Sequence, residues 1–222
     1  MGILYIVATP IGNLEDVTFR ALRILKEVDL VLAEDTRVTK KLLARYEVKT
    51  STMSYHQHSS EKKIKEILEM LQQGKNLALV TDAGTPGVSD PGNELVAFLI
   101  DHNVSIVPIP GPSAVAAIAS VAGIPMDRFS FLGYPPVKNK RNKYFEEVVD
   151  SSIPVVFYES PHRILKTLTQ LQELDDSLFV VVGRELTKQF EIVYRGNIKD
   201  VLKELEQETM KGEFVVIVHK GN

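Results

Sequence analysis

Eleven residues, Asp82 to Gly92, read Asp-Ala-Gly-Thr-Pro-Gly-Val-Ser-Asp-Pro-Gly, and neither helix nor strand can run through them. An apolar run, Leu77 to Val80, precedes them and reads as a short buried strand. Asn93 to Ile100 follows with helical spacing, so the segment sits where a strand hands over to a helix in an α/β layer. In open parallel sheets that edge is where ligands bind. Glycine lets the backbone approach a ligand and leaves N–H groups free to point at it, while proline stiffens the loop. A tight connector also uses glycine and proline. Two carboxylates and two hydroxyls are more than a connector needs.

The rest of the first half repeats this alternation. Gly2 to Ala8 is apolar and bounded by Thr9, Pro10 and Gly12, the pattern of a strand buried on both faces. Thr18 can cap a helix carrying Phe19, Leu22 and Leu25. Asp29 to Ala33 is the next strand and stops at Glu34-Asp35-Thr36-Arg37; Lys40, Lys41 and Arg45 then decorate a helix whose apolar side is Leu42 and Leu43. Ser60 opens a helix with Ile64, Ile67, Leu68 and Leu71 on one face and Gly74 just past its end. Val104 to Ile109 is a strand closed by Pro110-Gly111-Pro112-Ser113, and Ala114 to Val121 is a helix of small residues. The order predicts a parallel sheet with helices on both faces.

Near Gly111 the rhythm changes, which places domains at 1–111 and 112–222. Phe129 to Leu132, Val155 to Tyr158, Phe179 to Val182, Ile192 to Tyr194 and Phe214 to Val218 read as strands of a mixed α/β domain. A basic loop with Lys138, Lys140, Arg141 and Lys143 separates the first two. Ser160-Pro161 reads as an N-cap with proline at the first helical position, ahead of Leu165, Leu168 and Leu171. A last helix runs through Ile198, Val201, Leu202 and Leu205.

Composition excludes more than it selects. A net charge of −3 on 222 residues announces neither nucleic acid nor an anionic membrane, so any RNA contact must use local charge. Without cysteine there is no disulfide, thiolate metal site or cysteine nucleophile. His102 to Met126 lacks a charged residue, but its prolines and glycines break any lipid-facing helix. There is no G-x-G-x-x-G after the first strand, no P-loop lysine and no H-E-x-x-H. His56 and His58 alone do not make a metal site, and none is expected. Gly87-Val88-Ser89-Asp90-Pro91 departs from a nucleophile elbow at its fifth position, where proline replaces glycine.

Four strand-end loops, Ala8 to Asn13, Glu34 to Arg37, Asp82 to Gly92 and Pro110 to Ala114, are predicted to project from one sheet edge. Those strings carry a resemblance. Leu4 to Asp16, Ala33-Glu34-Asp35-Thr36-Arg37, the Asp82 loop, Pro108 to Ala114 and Gly183-Arg184-Glu185-Leu186-Thr187-Lys188 are similar to the ribosomal RNA small subunit methyltransferase I family, within the tetrapyrrole-methylase superfamily. The resemblance runs from the first strand almost to the last. It implies two α/β domains, the first mainly parallel and the second mixed, with S-adenosylmethionine in a cleft between them. It also implies a cytoplasmic homodimer that methylates the 2′-hydroxyl of a cytidine at the decoding centre of 16S rRNA in the small ribosomal subunit.

Carried over by position, cofactor contacts fall on Pro10, Gly84, Thr85, Val88, Ser113 and Ala114, with Ser160, Glu185 and Thr187 from the second domain. Relatives outside the rRNA branch place an aspartate where Thr85 stands, and Asp82 is the substitute here. A ribose hydroxyl is a very weak acid, so a general base is expected. Asp35 or Glu34 is the candidate, with Arg37 as phosphate anchor or charge stabiliser; a plain ion pair of Glu34 with Arg37 across the strand end is the alternative. RNA contacts are assigned to Arg37, Lys40, Lys41 and Arg45 and to Lys138, Lys140, Arg141 and Lys143. Members of the family continue into a small helical extension, so a chain stopping at Asn222 is expected to be short or truncated. A tetrapyrrole methylase and a non-catalytic RNA-binding protein remain the alternatives.

Overall fold

A computed structural model describes residues 1–57 and 59–221; His58, one of the two neighbouring histidines, and the terminal Asn222 lie outside the described residues. The chain divides into two compact units, Met1–Ser113 and Ala114–Asn222.

The first unit is built on β1 (Ile3–Val7), β2 (Leu30–Ala33), β3 (Thr52–Ser54), β4 (Leu77–Val80) and β5 (Ser105–Ile109). They form one sheet in the order β3-β2-β4-β1-β5 with every pairing parallel, Leu4 lying opposite Leu77 on one side and Ile106 on the other. Parallel strands need crossovers, and these are α1 (Phe19–Glu27), α2 (Thr36–Arg45), α3 (Glu61–Gln72) and α4 (Asn93–Asp101). Successive β4 residues point to opposite faces. Leu77 and Leu79 pack with Ile64, Ile67, Leu71, Leu95 and Leu99 of α3 and α4. Ala78 and Val80 pack with Ala21, Ile24, Leu25 and Leu43 of α1 and α2. Both faces are thus covered, which explains why the strands read as unbroken apolar runs.

Thr18 caps α1, its hydroxyl accepting from the Ala21 N–H at 3.0 Å. Phe19 does not join the core as its spacing predicted: it is 93% exposed, and Ala21, Ile24 and Leu25 carry the buried face. Gly74 has φ +87°, as a residue just past a helix end requires. The three-residue β3, too short and polar to stand out in the sequence, pairs only with β2 at the sheet edge.

The second unit holds α5 (Ala114–Ser120), β6 (Ser130–Phe131), α6 (Arg141–Asp150), β7 (Val155–Glu159), α7 (Ile164–Leu174), β8 (Phe179–Arg184), β9 (Ile192–Asn197), α8 (Ile198–Glu206) and β10 (Phe214–His219). The sheet order is β6-β7-β10-β8-β9, parallel at β6–β7 and antiparallel elsewhere, a mixed sheet. Helices α6, α7 and α8 bury Phe145, Leu168 and Val201 against Phe157, Val180 and Val216. On the opposite face Ile118 of α5 approaches Gly183, whose missing side chain leaves that room.

Two local expectations fail here. Ser160 is not an N-cap: α7 starts at Ile164, and the Ser160 hydroxyl instead accepts from Arg163 Nε at 3.0 Å. The basic segment is not all loop, because Arg141 opens α6, with Lys140 before it at φ +64°. No helix among the described residues is long and apolar enough to cross a membrane.

Candidate active site

Because the first sheet is parallel, the loops after β1, β2, β4 and β5 leave from one edge. The chain exits β1 towards β2 and exits β4 towards β5, so the ends of β1 and β4 lie where the connections diverge, the usual crevice for a ligand. Their loops are joined there. Thr9 and Gly84 exchange backbone hydrogen bonds of 2.9 and 3.0 Å, and the buried Thr9 hydroxyl donates to the Thr81 carbonyl at 3.0 Å. Gly84 holds φ +80°, which a side chain would strain, so glycine is what allows this bridge.

Carboxylates gather at the same edge. The Asp35 N–H donates to Asp82 Oδ1 at 3.1 Å, and the Asp82 N–H donates to Glu34 Oε2 at 3.3 Å, lacing the β2 and β4 loops together. Arg37 gives Asp35 a forked interaction, Nε at 3.0 and 3.1 Å and Nη2 at 2.6 Å, and its N–H donates to Asp35 Oδ1 at 2.8 Å. Those bonds from Arg37 hold Asp35 down to about 2. The other three acids go the opposite way. Burial, with the charge of Asp82 added, raises Glu34; burial, with Asp35 added, raises Asp82. Asp90 is pushed up to about 7 by burial and then by Glu34 and Asp82.

The sequence-assigned groups therefore part company. The ion pair expected between Glu34 and Arg37 forms with Asp35 instead, because Asp35 caps α2 beside Arg37 while Glu34 turns to the Asp82 N–H; so paired, Asp35 is a weak proton acceptor at neutral pH. Glu34 and Asp82 stay in the cluster. Asp90 was not among the assigned residues, and its signal was a carboxylate held between Ser89 and Pro91 in the glycine- and proline-rich loop after β4. Pro10 and Gly84 are buried, Thr85 and Ser113 partly so, and Val88 is 40% exposed.

In the second unit the loop after β8 carries Glu185 at φ +53° and Thr187 at φ +67°, left-handed conformations that are costly for such residues and that cluster at binding sites. Burial pushes the Glu185 carboxyl up, but bonds from Lys188 Nζ at 2.8 Å and the Glu213 N–H at 2.9 Å outweigh it and hold the group below its usual range. A side chain on Gly212 would stand 2.4 Å from Glu185 Cδ, so glycine there makes room for the glutamate. Thr187 Oγ1 is buried with no hydrogen-bond partner among the described residues. An orphaned hydroxyl in a strained loop fits a ligand's polar group. Ser160 donates its N–H to Glu159 at 2.8 Å, and Ala114 opens α5.

The basic residues assigned to RNA fall into two exposed sets, Lys40, Lys41 and Arg45 on α2 beside Arg37, and Lys138, Lys140 and Lys143 around the start of α6. Arg141 leaves the second set. It is 6% exposed, and its guanidinium donates to Gln170 at 2.8 Å, the Pro136 carbonyl at 3.0 Å and Thr167 at 2.7 Å. Burial lowers its pKa despite the nearby Glu159, and its place is the interior.

The tetrapyrrole (corrin/porphyrin) methylase family model matches residues 3–202. The chain is similar to ribosomal RNA small subunit methyltransferase I of Halalkalibacterium halodurans, at 45% identity over 222 residues, all of this chain and 76% of that protein. It is 41% identical to the protein of the same name from Thermotoga maritima, over 98% of each chain. Among solved structures, the methyltransferase CobJ superposes with a TM-score of 0.73 at 20% identity, covering 100% of this chain and 95% of that one, a likeness of fold.

Proposed function

Since the chain belongs to the ribosomal RNA small subunit methyltransferase I family of tetrapyrrole methylases, we propose that it methylates the 2′-hydroxyl of a cytidine at the decoding centre of 16S rRNA. That it is an S-adenosylmethionine-dependent methyltransferase of small-subunit rRNA follows from the family; the nucleotide and the oxygen are our reading. The observation that carries it is the likeness, along the whole of this chain, to enzymes of that name, joined to an acid-rich loop cluster at the sheet's carboxyl edge.

S-adenosylmethionine supplies, when bound, a methyl group on a sulfonium that leaves as a neutral thioether. The groups present suit it: Glu34 and Asp82 already act as acceptors at the strand ends and can accept from its amino and hydroxyl groups, and the buried Thr187 hydroxyl has no partner among the described residues. We assign cofactor contact to Pro10, Asp82, Gly84, Thr85, Val88 and Ser113 in the first unit, and to Ala114, Ser160, Glu185 and Thr187 in the second.

The base we assign is Asp90, which shares the strand-end cluster with Glu34 and Asp82, in place of Asp35, both of whose carboxylate oxygens Arg37 already occupies. A general base works best when its pKa lies near the working pH, and Asp90 at about 7 meets that where Asp35 at about 2 does not. Glu34, raised in the same direction, is the nearest alternative. Arg37, Lys40, Lys41 and Arg45 are assigned to RNA phosphates, with Lys138, Lys140 and Lys143. The resemblance also supports a homodimer in the cytoplasm, and sedimentation at twice the chain's mass is the expected result.

The test has two arms. Calorimetric titration with S-adenosylmethionine and S-adenosylhomocysteine is expected to show binding of both. Tritium from the labelled methyl donor should then enter unmethylated small subunits and be recovered as 2′-O-methylcytidine. Turnover of a precorrin with no transfer to subunits would move the chain to the tetrapyrrole branch. Transfer to a base nitrogen or carbon would discard the ribose assignment alone.

A further inference from the structure

In the second unit, a short stretch of surface is braced from below in a way the rRNA reading does not by itself require. The segment 133–140 leaves β6 and enters α6. At its start the Tyr158 N–H donates to the Gly133 carbonyl at 2.9 Å. Next come Pro135 and Pro136, whose rings fix φ, and a guanidinium reaches the carbonyl of each. Arg163 Nη1 donates to Pro135 O at 3.3 Å and Arg141 Nη1 to Pro136 O at 3.0 Å. Both arginines are held by the buried Glu159, with Arg163 Nε 3.0 Å from Oε1 and Arg141 Nη2 3.9 Å from Oε2. The Thr167 hydroxyl completes the frame, donating to Glu159 Oε2 at 2.6 Å.

What this frame presents outward is aromatic and basic. Tyr134 is 54% exposed, with its ring centroid 5.4 Å from that of Tyr158, which in turn lies 5.0 Å from Phe131. Val137 is 70% exposed, and Lys138, Lys140 and Lys143 are exposed beside it. From Phe129 to Phe145 there is no acidic residue, in a chain whose net charge is −3. An exposed ring among lysines, as Tyr134 is, gives a single-stranded nucleic acid what it needs: a face for a base to stack on and cations for its phosphates. A bracing network lowers the entropy lost when such a surface engages its ligand.

We infer that the 133–143 surface is a preorganised platform for single-stranded RNA, on which Tyr134 stacks an unpaired base and Lys138, Lys140 and Lys143 hold the flanking phosphates. This rests on the rRNA reading and deepens it by naming the substrate form, an unstacked nucleotide in place of a duplex. Arg141, Arg163 and Glu159 are positioning residues that touch no RNA.

The experiment is fluorescence anisotropy of a labelled single-stranded oligocytidylate against the full chain over a potassium chloride series, run beside methyl transfer to small subunits. Tyr134→Ala should weaken oligonucleotide binding by roughly 5- to 150-fold at every salt concentration with the salt slope unchanged. Tyr134→Phe, which keeps the ring, should bind as the wild type does. Replacing Lys138, Lys140 and Lys143 together by alanine should flatten the log–log salt slope by about 2, at about 0.7 per phosphate on a single strand. Affinity for S-adenosylmethionine should be the same in all of them. Wild-type binding by Tyr134→Ala, with the wild type still methylating subunits, overturns the platform and leaves the functional reading standing. A wild type that transfers no methyl group to subunits overturns that reading and the platform with it.

Discussion

Two carboxylate sites in this protein face opposite electrostatic circumstances. At the edge of the first sheet, Glu34, Asp82 and Asp90 crowd one another, and the hydrogen bonds of Arg37 go to Asp35. In the second unit Glu159 is 1% exposed but receives Arg141, Arg163, Thr167 and the Ser160 N–H. A buried charge is tolerable when its lone pairs are filled, and then it organises its surroundings. Acids whose desolvation outweighs the pull of nearby cations titrate late, which makes them available to take a proton. On that difference rests our proposal that Glu159 is structural and that Asp90 is the base.

The sharpest test of that contrast is Glu159→Ala. It leaves the Arg141 guanidinium buried without its acid, and urea unfolding should show a loss of about 3–5 kcal/mol. A loss under about 1 kcal/mol would mean the pairing contributes no more than a surface bridge and would erase the contrast.

Asp90→Asn comes next. In the wild type, kcat/KM for small subunits should rise with pH up to about 7 and level off, as the base ionises. The variant should lose that rise and about 100-fold or more of activity at pH 8. Its stability should move the other way. A raised folded-state pKa means that the Asp90 contribution is fully present below the unfolded value near pH 3.9 and is lost as pH climbs towards about 7. Above that the ionised acid is a burden, so Asp90→Asn should stabilise the fold at pH 8, on the order of 1 kcal/mol after allowance for solvent screening.

Gly212→Ala should cost about 1–3 kcal/mol, because φ +92° is unfavourable with a side chain and the new methyl group meets Glu185. It should also weaken S-adenosylmethionine binding in calorimetry if the Glu185–Thr187 loop touches the cofactor; unchanged affinity would take that loop out of the site. The smallest effect belongs to Asp35→Asn, whose turnover should stay within about threefold of wild type. A loss comparable with that of Asp90→Asn would return the base to Asp35.

Much of the frame was legible in one dimension. The strands β1, β4 and β5 are apolar runs closed by glycine and proline, and Thr18 and Gly74 mark helix ends with residues chosen for those positions. Elements set by tertiary pairing were not. Thr52–Ser54 is a strand only because β2 offers it an edge, and Phe19 sits outside the core although its spacing matches. Ser160 carries an N-cap signature, but its hydroxyl goes to Arg163, and the following turn delays α7 to Ile164.

The same division runs through the site. By itself the sequence determined the alternation of elements, the Gly/Pro loops at strand ends and the family to which those loops belong, since these depend on local conformational preference and on identity position by position. Only the tertiary structure decided which charges are partnered. Lys140 and Arg141 are adjacent and equally basic on paper, yet one lies in solvent and the other is buried between Gln170, Thr167 and a proline carbonyl. Asp35 and Asp90 are likewise two aspartates in two loops, set to about 2 and about 7 by an arginine beside one and by burial among acids at the other. Solvation and pairing act through space between residues distant in the chain, so the order of amino acids does not display them.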